Sequence, residues 1–257
     1  MKIENYGVGK RSSEILRLFL LAQERGELPA GIERLMLLPI PTSRDKKTLT
    51  GTKLTLDEAF ADIGCGDLVL GYAIPCKYSE MAKARGATVF DASEKEDFLE
   101  ENARLTALGA LGYILTETDR EPADISFGIV GYGRIGRIIA RYLLFLGARL
   151  KIYTTKDLTR FELGRLEVST ESTKEGKISL DGVDILINTA PTRLDIGVSD
   201  GRLPHGVRII ELASGENFSG VDGIEALPSI PDRFYAKSAA NVYYRAAKKY
   251  MTEELFK

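Results

Sequence analysis

Three glycines at the junction of an apolar run and an amphipathic one carry the clearest chemistry in this chain. The run Ile125-Ser126-Phe127-Gly128-Ile129-Val130 leads into Gly131-Tyr132-Gly133-Arg134-Ile135-Gly136, and Ile138, Ile139, Tyr142, Leu143 and Leu146 follow at helical spacing. A G-x-G-x-x-G turn set between a strand and a helix is the spacing that holds a dinucleotide pyrophosphate. Gly131 permits the tight turn, Gly133 lets the backbone approach the phosphates, and Gly136 lets the helix close on the strand. The phosphates would lie on free amides at the positive helix end, among Tyr132, Arg134 and Ile135.

The residues about 20 positions further on choose between cofactors, because a carboxylate there binds both ribose hydroxyls of NAD. This chain has Tyr153-Thr154-Thr155-Lys156, with no acid before Asp157. Two hydroxyls and an ammonium suit a 2′-phosphate, so NADP(H) is expected over NAD(H), held by Thr154, Thr155 and Lys156. Two later apolar runs end in polar turns: Asn188-Thr189-Ala190-Pro191, and Glu211-Leu212-Ala213-Ser214-Gly215. The carboxyl edge of an open α/β sheet is where ligands bind, which places Asn188, Thr189, Ala190, Pro191 and Ala213 on the nicotinamide-bearing side.

Two segments at element ends supply cationic and hydroxyl donors that suit an anionic ligand. They are Thr42-Ser43-Arg44 and Lys237-Ser238, expected to converge on one ligand, with Lys237 and Ser238 also the candidate catalytic residues. Other chemistries are excluded. Cys65 and Cys76 form no CxxC pair, and with a single histidine no His/Cys metal cage can be built. That histidine, His205, stands in Leu203-Pro204-His205-Gly206, a turn composition, and reads as an exposed turn residue. Thirty-five basic and 37 acidic residues are mixed along the chain to a net charge of -2, which argues against a polyanion-binding surface. The densest apolar stretch, 15–22, is interrupted by Arg17 and falls short of the roughly 20 residues that span a bilayer. With no apolar leader at the start, a cytoplasmic protein is expected.

The elements that must position these residues alternate between strand-like and helix-like patterns, which predicts helices on a mainly parallel sheet. The first hundred residues read as a helix over 12–25, strands over 34–38 and 67–72, a helix over 77–85 and a strand over 87–90, with no clear strand before the first helix. Ser93-Glu94-Lys95-Glu96 reads as a capping box opening a connector helix over 93–118, in which Gly109 and Gly112 leave room for a close neighbour. Strands are then expected over 125–130, 149–153, 184–187, 207–212 and near Glu225, with a helix over 135–146 closed by Gly147. A last helix over 236–255 carries Val242, Tyr243, Ala246, Tyr250 and Met251 on one face. The expected organisation is an N-terminal substrate domain, 1–100, completed by the helix 236–257, and a dinucleotide domain, 101–235.

Several segments in order resemble the A subunit of dipicolinate synthase, a relative of the D-2-hydroxyacid dehydrogenases. They are Leu37-Leu38-Pro39-Ile40-Pro41-Thr42-Ser43, the helix 102–109 with Thr106, the glycine turn 131–136, the stretch 184–191, Leu212-Ala213-Ser214, Pro228-Ser229-Ile230-Pro231 and Ala236-Lys237-Ser238-Ala239. The resemblance implies two Rossmann-like α/β domains with doubly wound parallel sheets and a cleft between them. It also implies a nicotinamide cofactor, the conversion of dihydrodipicolinate to dipicolinate in bacterial spore formation, and a flavoprotein partner; a homo-oligomer is expected. The arginine that the family carries after its Leu-Ala-Ser segment is replaced here by Gly215-Glu216-Asn217. Hydroxyacid dehydrogenases need an arginine after the fifth strand and a late histidine paired with an acid. This chain has neither, and His205 precedes the fifth strand, so that chemistry is not the leading expectation. The alternatives are a dinucleotide-binding accessory or regulatory protein without catalysis, and a hydroxyacid dehydrogenase-like protein lacking those residues.

Overall fold

Apolar runs of four to six residues separated by helices build two parallel sheets, seen in a computed structural model that describes residues 1–155, 168–198, 201–215, 217–218 and 220–254. The contacts divide the chain into two units, Met1–Leu105 with Pro231–Lys257, and Thr106–Ile230.

In the first unit β1 (Lys2–Asn5), α1 (Gly9–Glu24), β2 (Arg34–Leu37), α2 (Leu56–Ala59), β3 (Asp67–Gly71), α3 (Cys76–Ala84) and β4 (Thr88–Asp91) follow one another. The strands lie in the order β1-β2-β3-β4, each pair parallel. Alternation along β2 and β3 sends Leu35, Leu37, Leu68 and Leu70 into a core with Ile15 and Phe19 of α1. Met36, Val69 and Val89 enter another core with Leu56, Phe60 and Tyr78. Strands buried on both faces read as continuous apolar runs, which is why these are legible. β1 is not expected from the sequence; it is a part-exposed edge strand whose only apolar residue is Ile3. The expected capping box at Ser93 is also corrected. Asp91 accepts from the Ser93 amide and hydroxyl, residues 92–94 make a short 3-10 turn, and α4 (Glu96–Thr116) starts after an extended Lys95. A reciprocal capping box does form at Thr55 and Glu58, opening α2. Gly112 has no close neighbour, because a Cβ there would meet open space.

The second unit continues with β5 (Ser126–Val130), α5 (Arg134–Phe145), β6 (Arg149–Thr154), β7 (Ser169–Ser172), β8 (Ile185–Asn188), β9 (Arg208–Glu211) and β10 (Glu225–Ala226). The spatial order is β10-β9-β8-β5-β6-β7, all parallel. Counted within the unit this is strand order 3-2-1-4-5-6, the doubly wound arrangement, and its direction reverses between β5 and β8. β7 escapes the sequence pattern for the same reason as β1, since Ser169-Thr170-Glu171-Ser172 is an exposed polar edge. Gly147, at φ +81°, ends α5 as expected.

The last helix, α6 (Ile230–Lys249), begins earlier than expected but breaks at Tyr235, so its longer run starts at 236. Ala239, Ala240, Val242, Tyr243, Ala247 and Met251 of this segment join the core of the first unit. Among the described residues, no helix is long and apolar enough to cross a membrane, and no cluster of three or more His, Cys, Asp or Glu could hold a metal ion.

Candidate functional site

Parallel register sets the carboxyl ends of four strands side by side: Val130 pairs with Tyr153 and with Asn188, and Asn188 pairs with Glu211. The glycine turn leaves the sheet at its switch point. Gly131 takes φ +88° and donates its amide to the Tyr153 carbonyl at 2.8 Å, so the chain reverses in one residue. A Cβ on Gly131 would sit 2.9 Å from Thr189 Oγ1, and one on Gly136 would sit 2.1 Å from the carbonyl oxygen of Gly131. These two glycines are therefore required by the fold itself. Gly133 differs, because a Cβ there would meet nothing within 4 Å.

Gly133 is the N-cap of α5, with no side-chain cap and no acid in the first turn. The first amides of this 12-residue helix carry its positive pole. Open space over Gly133 beside uncapped amides fits a phosphate group. Tyr132 and Ile135 are half-buried and pack against the core beneath. At the end of β6, Thr154 is buried and Thr155 exposed; Lys156 and Asp157 lie outside the described residues.

The next strand end needs a correction. Asn188 is fully buried, its amide nitrogen donating to both carboxylate oxygens of Glu211 at 3.0 Å and its oxygen accepting the Ala190 amide at 3.1 Å. Its side chain shapes the turn and does not face a ligand. Thr189 is also turned inward, donating its hydroxyl to the Val130 carbonyl at 2.8 Å beneath the glycine turn. Ala190 is half-buried and Pro191 exposed along the same edge.

Glu211 is the group that sequence reasoning passes over. It is buried, and besides Asn188 it accepts from the Ala213 amide at 2.8 Å and the Asn217 amide nitrogen at 3.2 Å. Burial pushes its carboxyl above the usual value against the lowering effect of the Asn188 and Asn217 donors. One acid thereby ties together two segments of the carboxyl edge, at Asn188 and at Ala213 and Asn217. A charged residue at the buried carboxyl end of a strand with an apolar centre is the available signal.

The first unit receives the remaining candidates. Thr42 is fully buried, its hydroxyl accepting the Tyr72 amide at 3.2 Å, so it pins the turn from within the fold, which corrects its reading as a ligand contact. Ser43 donates to Asp45 at 3.0 Å, and Arg44 is exposed. The Asp45 carboxyl is held far below its usual range by the Thr48 and Lys47 amides. Lys237 and Ser238 are exposed in the first turn of the longer run of α6; the Glu14 carboxyl, held below its usual value chiefly by its hydrogen bond from Arg17, also feels the Lys237 charge. His205 is exposed in a turn before β9.

A parallel sheet in doubly wound order, with a glycine turn and a helix start at its switch point, is the Rossmann-like arrangement. No family model matches the chain. In sequence it is similar to the A subunit of dipicolinate synthase from Bacillus subtilis (strain 168), 29% identical over 171 residues that cover 62% of this chain and 56% of that protein, little more than half its length. In structure it is similar to the A subunit of dipicolinate synthase from Bacillus halodurans, with a TM-score of 0.72 at 19% identity over 98% of this chain and 97% of that one. The Bacillus subtilis counterpart gives 0.68 at 18% identity over 96% and 93%. The apo-structure of D-lactate dehydrogenase from Escherichia coli gives 0.54 at 12% identity over 97% and 95%. The resemblance drawn from the ordered segments is thus met in both sequence and fold.

Proposed function

We propose that this chain is an NADP(H)-binding oxidoreductase acting on a small dicarboxylate, of the kind that converts dihydrodipicolinate to dipicolinate. The observation that carries the reading is the glycine turn: two glycines are required by close packing, while Gly133 is left open beside uncapped amides at the switch point of the sheet. The similarity to the A subunit of dipicolinate synthase supports the substrate class. A link to spore formation and a flavoprotein partner are part of the same proposal.

The dinucleotide would be held at its pyrophosphate by the amides of Arg134, Ile135 and Gly136 and at its 2′-phosphate by Thr155 and Lys156. When bound, it supplies two-electron hydride chemistry. Tyr132, Ala190, Pro191 and Ala213 border the carboxyl edge on which its other half would lie; Glu211 holds Ala213 directly and Ala190 through Asn188. Substrate would engage the first unit through Ser43, Arg44, Lys237 and Ser238, with Lys237 supplying charge. The test is absorbance at the reduced-nicotinamide band during turnover of dihydrodipicolinate with NADP+, with and without a flavoprotein partner. Turnover supports the reading. Tight NADPH binding with no turnover in either arm would favour the accessory protein instead.

A further inference from the structure

The first turn of α1 holds a buried cation outside the site assembled above. Arg11 is only 7% exposed and shares a helix face with Ser12, Ile15, Phe19 and Ala22. Its backbone amide donates to Asp232 Oδ1 at 2.6 Å, so that carboxylate caps the helix start. The guanidinium fares differently. Nη2 donates to the Ile40 carbonyl at 3.0 Å, and among the described residues the side chain has no other hydrogen bond and no ion pair. A guanidinium has five N–H donors. Thr50 Oγ1 is the one fully buried, unpartnered side-chain atom among the described residues, so the unbonded N–H groups of Arg11 keep some contact with solvent.

The position adds a second argument. Ile40 follows β2 and leads directly into the turn 42–44, and Tyr72, which follows β3, is close enough to Arg11 to interact electrostatically, as are Asp232 and Tyr243. Arg11 therefore sits at the carboxyl edge of the first sheet, the edge at which open α/β sheets take ligands. A buried cation with most of its donors unused is costly unless an anion completes it, and the planar fork of arginine matches a carboxylate in two-pronged fashion. We propose that Arg11 binds one carboxylate of the substrate, forming with Ser43 and Arg44 the anion site of the first unit. This rests on the dicarboxylate reading above.

The test is calorimetric titration of the full chain with pyridine-2,6-dicarboxylate at saturating NADPH, for wild type, Arg11→Met and Arg11→Lys, with a thermal melt of each without ligand. Losing a charge-assisted pair of hydrogen bonds should weaken binding by about 10- to 100-fold in Arg11→Met. Arg11→Lys keeps the charge without the fork and should be weakened several-fold, and NADPH affinity should stay within twofold in both. The melting temperature without ligand should hold or rise in Arg11→Met, because an under-paired buried charge is gone; a purely structural clamp on Ile40 would lower it. Wild-type binding that survives Arg11→Met overturns the anchor alone. Should Arg11→Met not fold, undiminished binding in Arg11→Lys does the same. A wild-type chain that binds NADPH but no dicarboxylate overturns both anchor and substrate class, and Arg11-dependent binding of inorganic phosphate in its place overturns the carboxylate assignment.

Discussion

The three glycines of the dinucleotide turn should give three different phenotypes when substituted, each set by what surrounds it. Gly136→Ala places a methyl group 2.1 Å from the Gly131 carbonyl oxygen, a backbone atom that cannot rotate away. Overpacking costs about 1–3 kcal/mol, and this contact belongs at or beyond the upper end; alanine's better helix propensity returns roughly 1 kcal/mol. A net loss of about 2 kcal/mol is expected, or a fall in Tm of roughly 4–8 °C for a chain this size. Gly131→Ala adds the strain of φ +88° to contacts of 2.9 Å with Thr189 and 3.0 Å with Ala190, and should cost about 1–3 kcal/mol. Gly133→Val meets open space at φ -88°, so only a poorer N-cap is felt, less than about 1 kcal/mol. Yet the branched side chain occupies the place proposed for the pyrophosphate, so Gly133→Val should lose NADPH binding while staying folded. Circular dichroism melts and NADPH fluorescence titration measure both quantities. Retained NADPH affinity in Gly133→Val would refute the placement of the cofactor, and an unshifted melt in Gly136→Ala would refute the packing argument.

Three further outcomes follow from other residues. NADPH should bind at least several-fold more tightly than NADH, with Lys156→Ala narrowing the gap; equal affinities in the parent chain would point to Asp157 as a ribose ligand. Glu211→Gln should cost about 1–3 kcal/mol, because an amide group would face the donors of Asn188, Asn217 and Ala213. Its pH dependence has a definite sign. A carboxyl raised above 4.5 binds more protons folded than unfolded, so its contribution is fully present below that value and is lost as pH rises through the folded one. Wild-type stability relative to Glu211→Gln should therefore decline over that window in melts taken at stepped pH, and a difference that grows with pH would contradict the assignment. Lys237→Ala should raise KM for the carboxylate substrate with NADPH affinity nearly unchanged, and a normal KM would take Lys237 out of the site.

The second unit is largely legible because its interior strands are short apolar runs that end where the chain must turn. The same physics hides β1 and β7. An edge strand meets solvent on one side, so Lys2-Ile3-Glu4-Asn5 and Ser169-Thr170-Glu171-Ser172 carry no run to recognise, and only pairing with β2 and β6 makes them strands. The capping box shows a related limit. Ser93 and Glu96 have the right spacing, but Asp91 at the end of β4 takes both the hydroxyl and the amide of Ser93, so one local motif displaces another.

Residue type locates the carboxyl edge correctly but does not say which of its polar groups face outward. Asn188 and Thr42 look like ligand contacts because polar residues after apolar strands often are. Both instead satisfy buried groups, Asn188 the Glu211 carboxylate and Thr42 the Tyr72 amide. A buried acid needs donors and a turn amide needs an acceptor, and these requirements claim the innermost polar side chains first. What remains for a ligand lies one step further out, in the amides over Gly133 and in cations whose donors the fold leaves unused. Arg11 belongs to that second group, and its position is readable from spacing, since 11, 15, 19 and 22 share one helical face. An arginine on the apolar stripe of a helix is either paired within the fold or waiting for an anion. Among the described residues the guanidinium has one hydrogen bond, to Ile40, which argues for the latter.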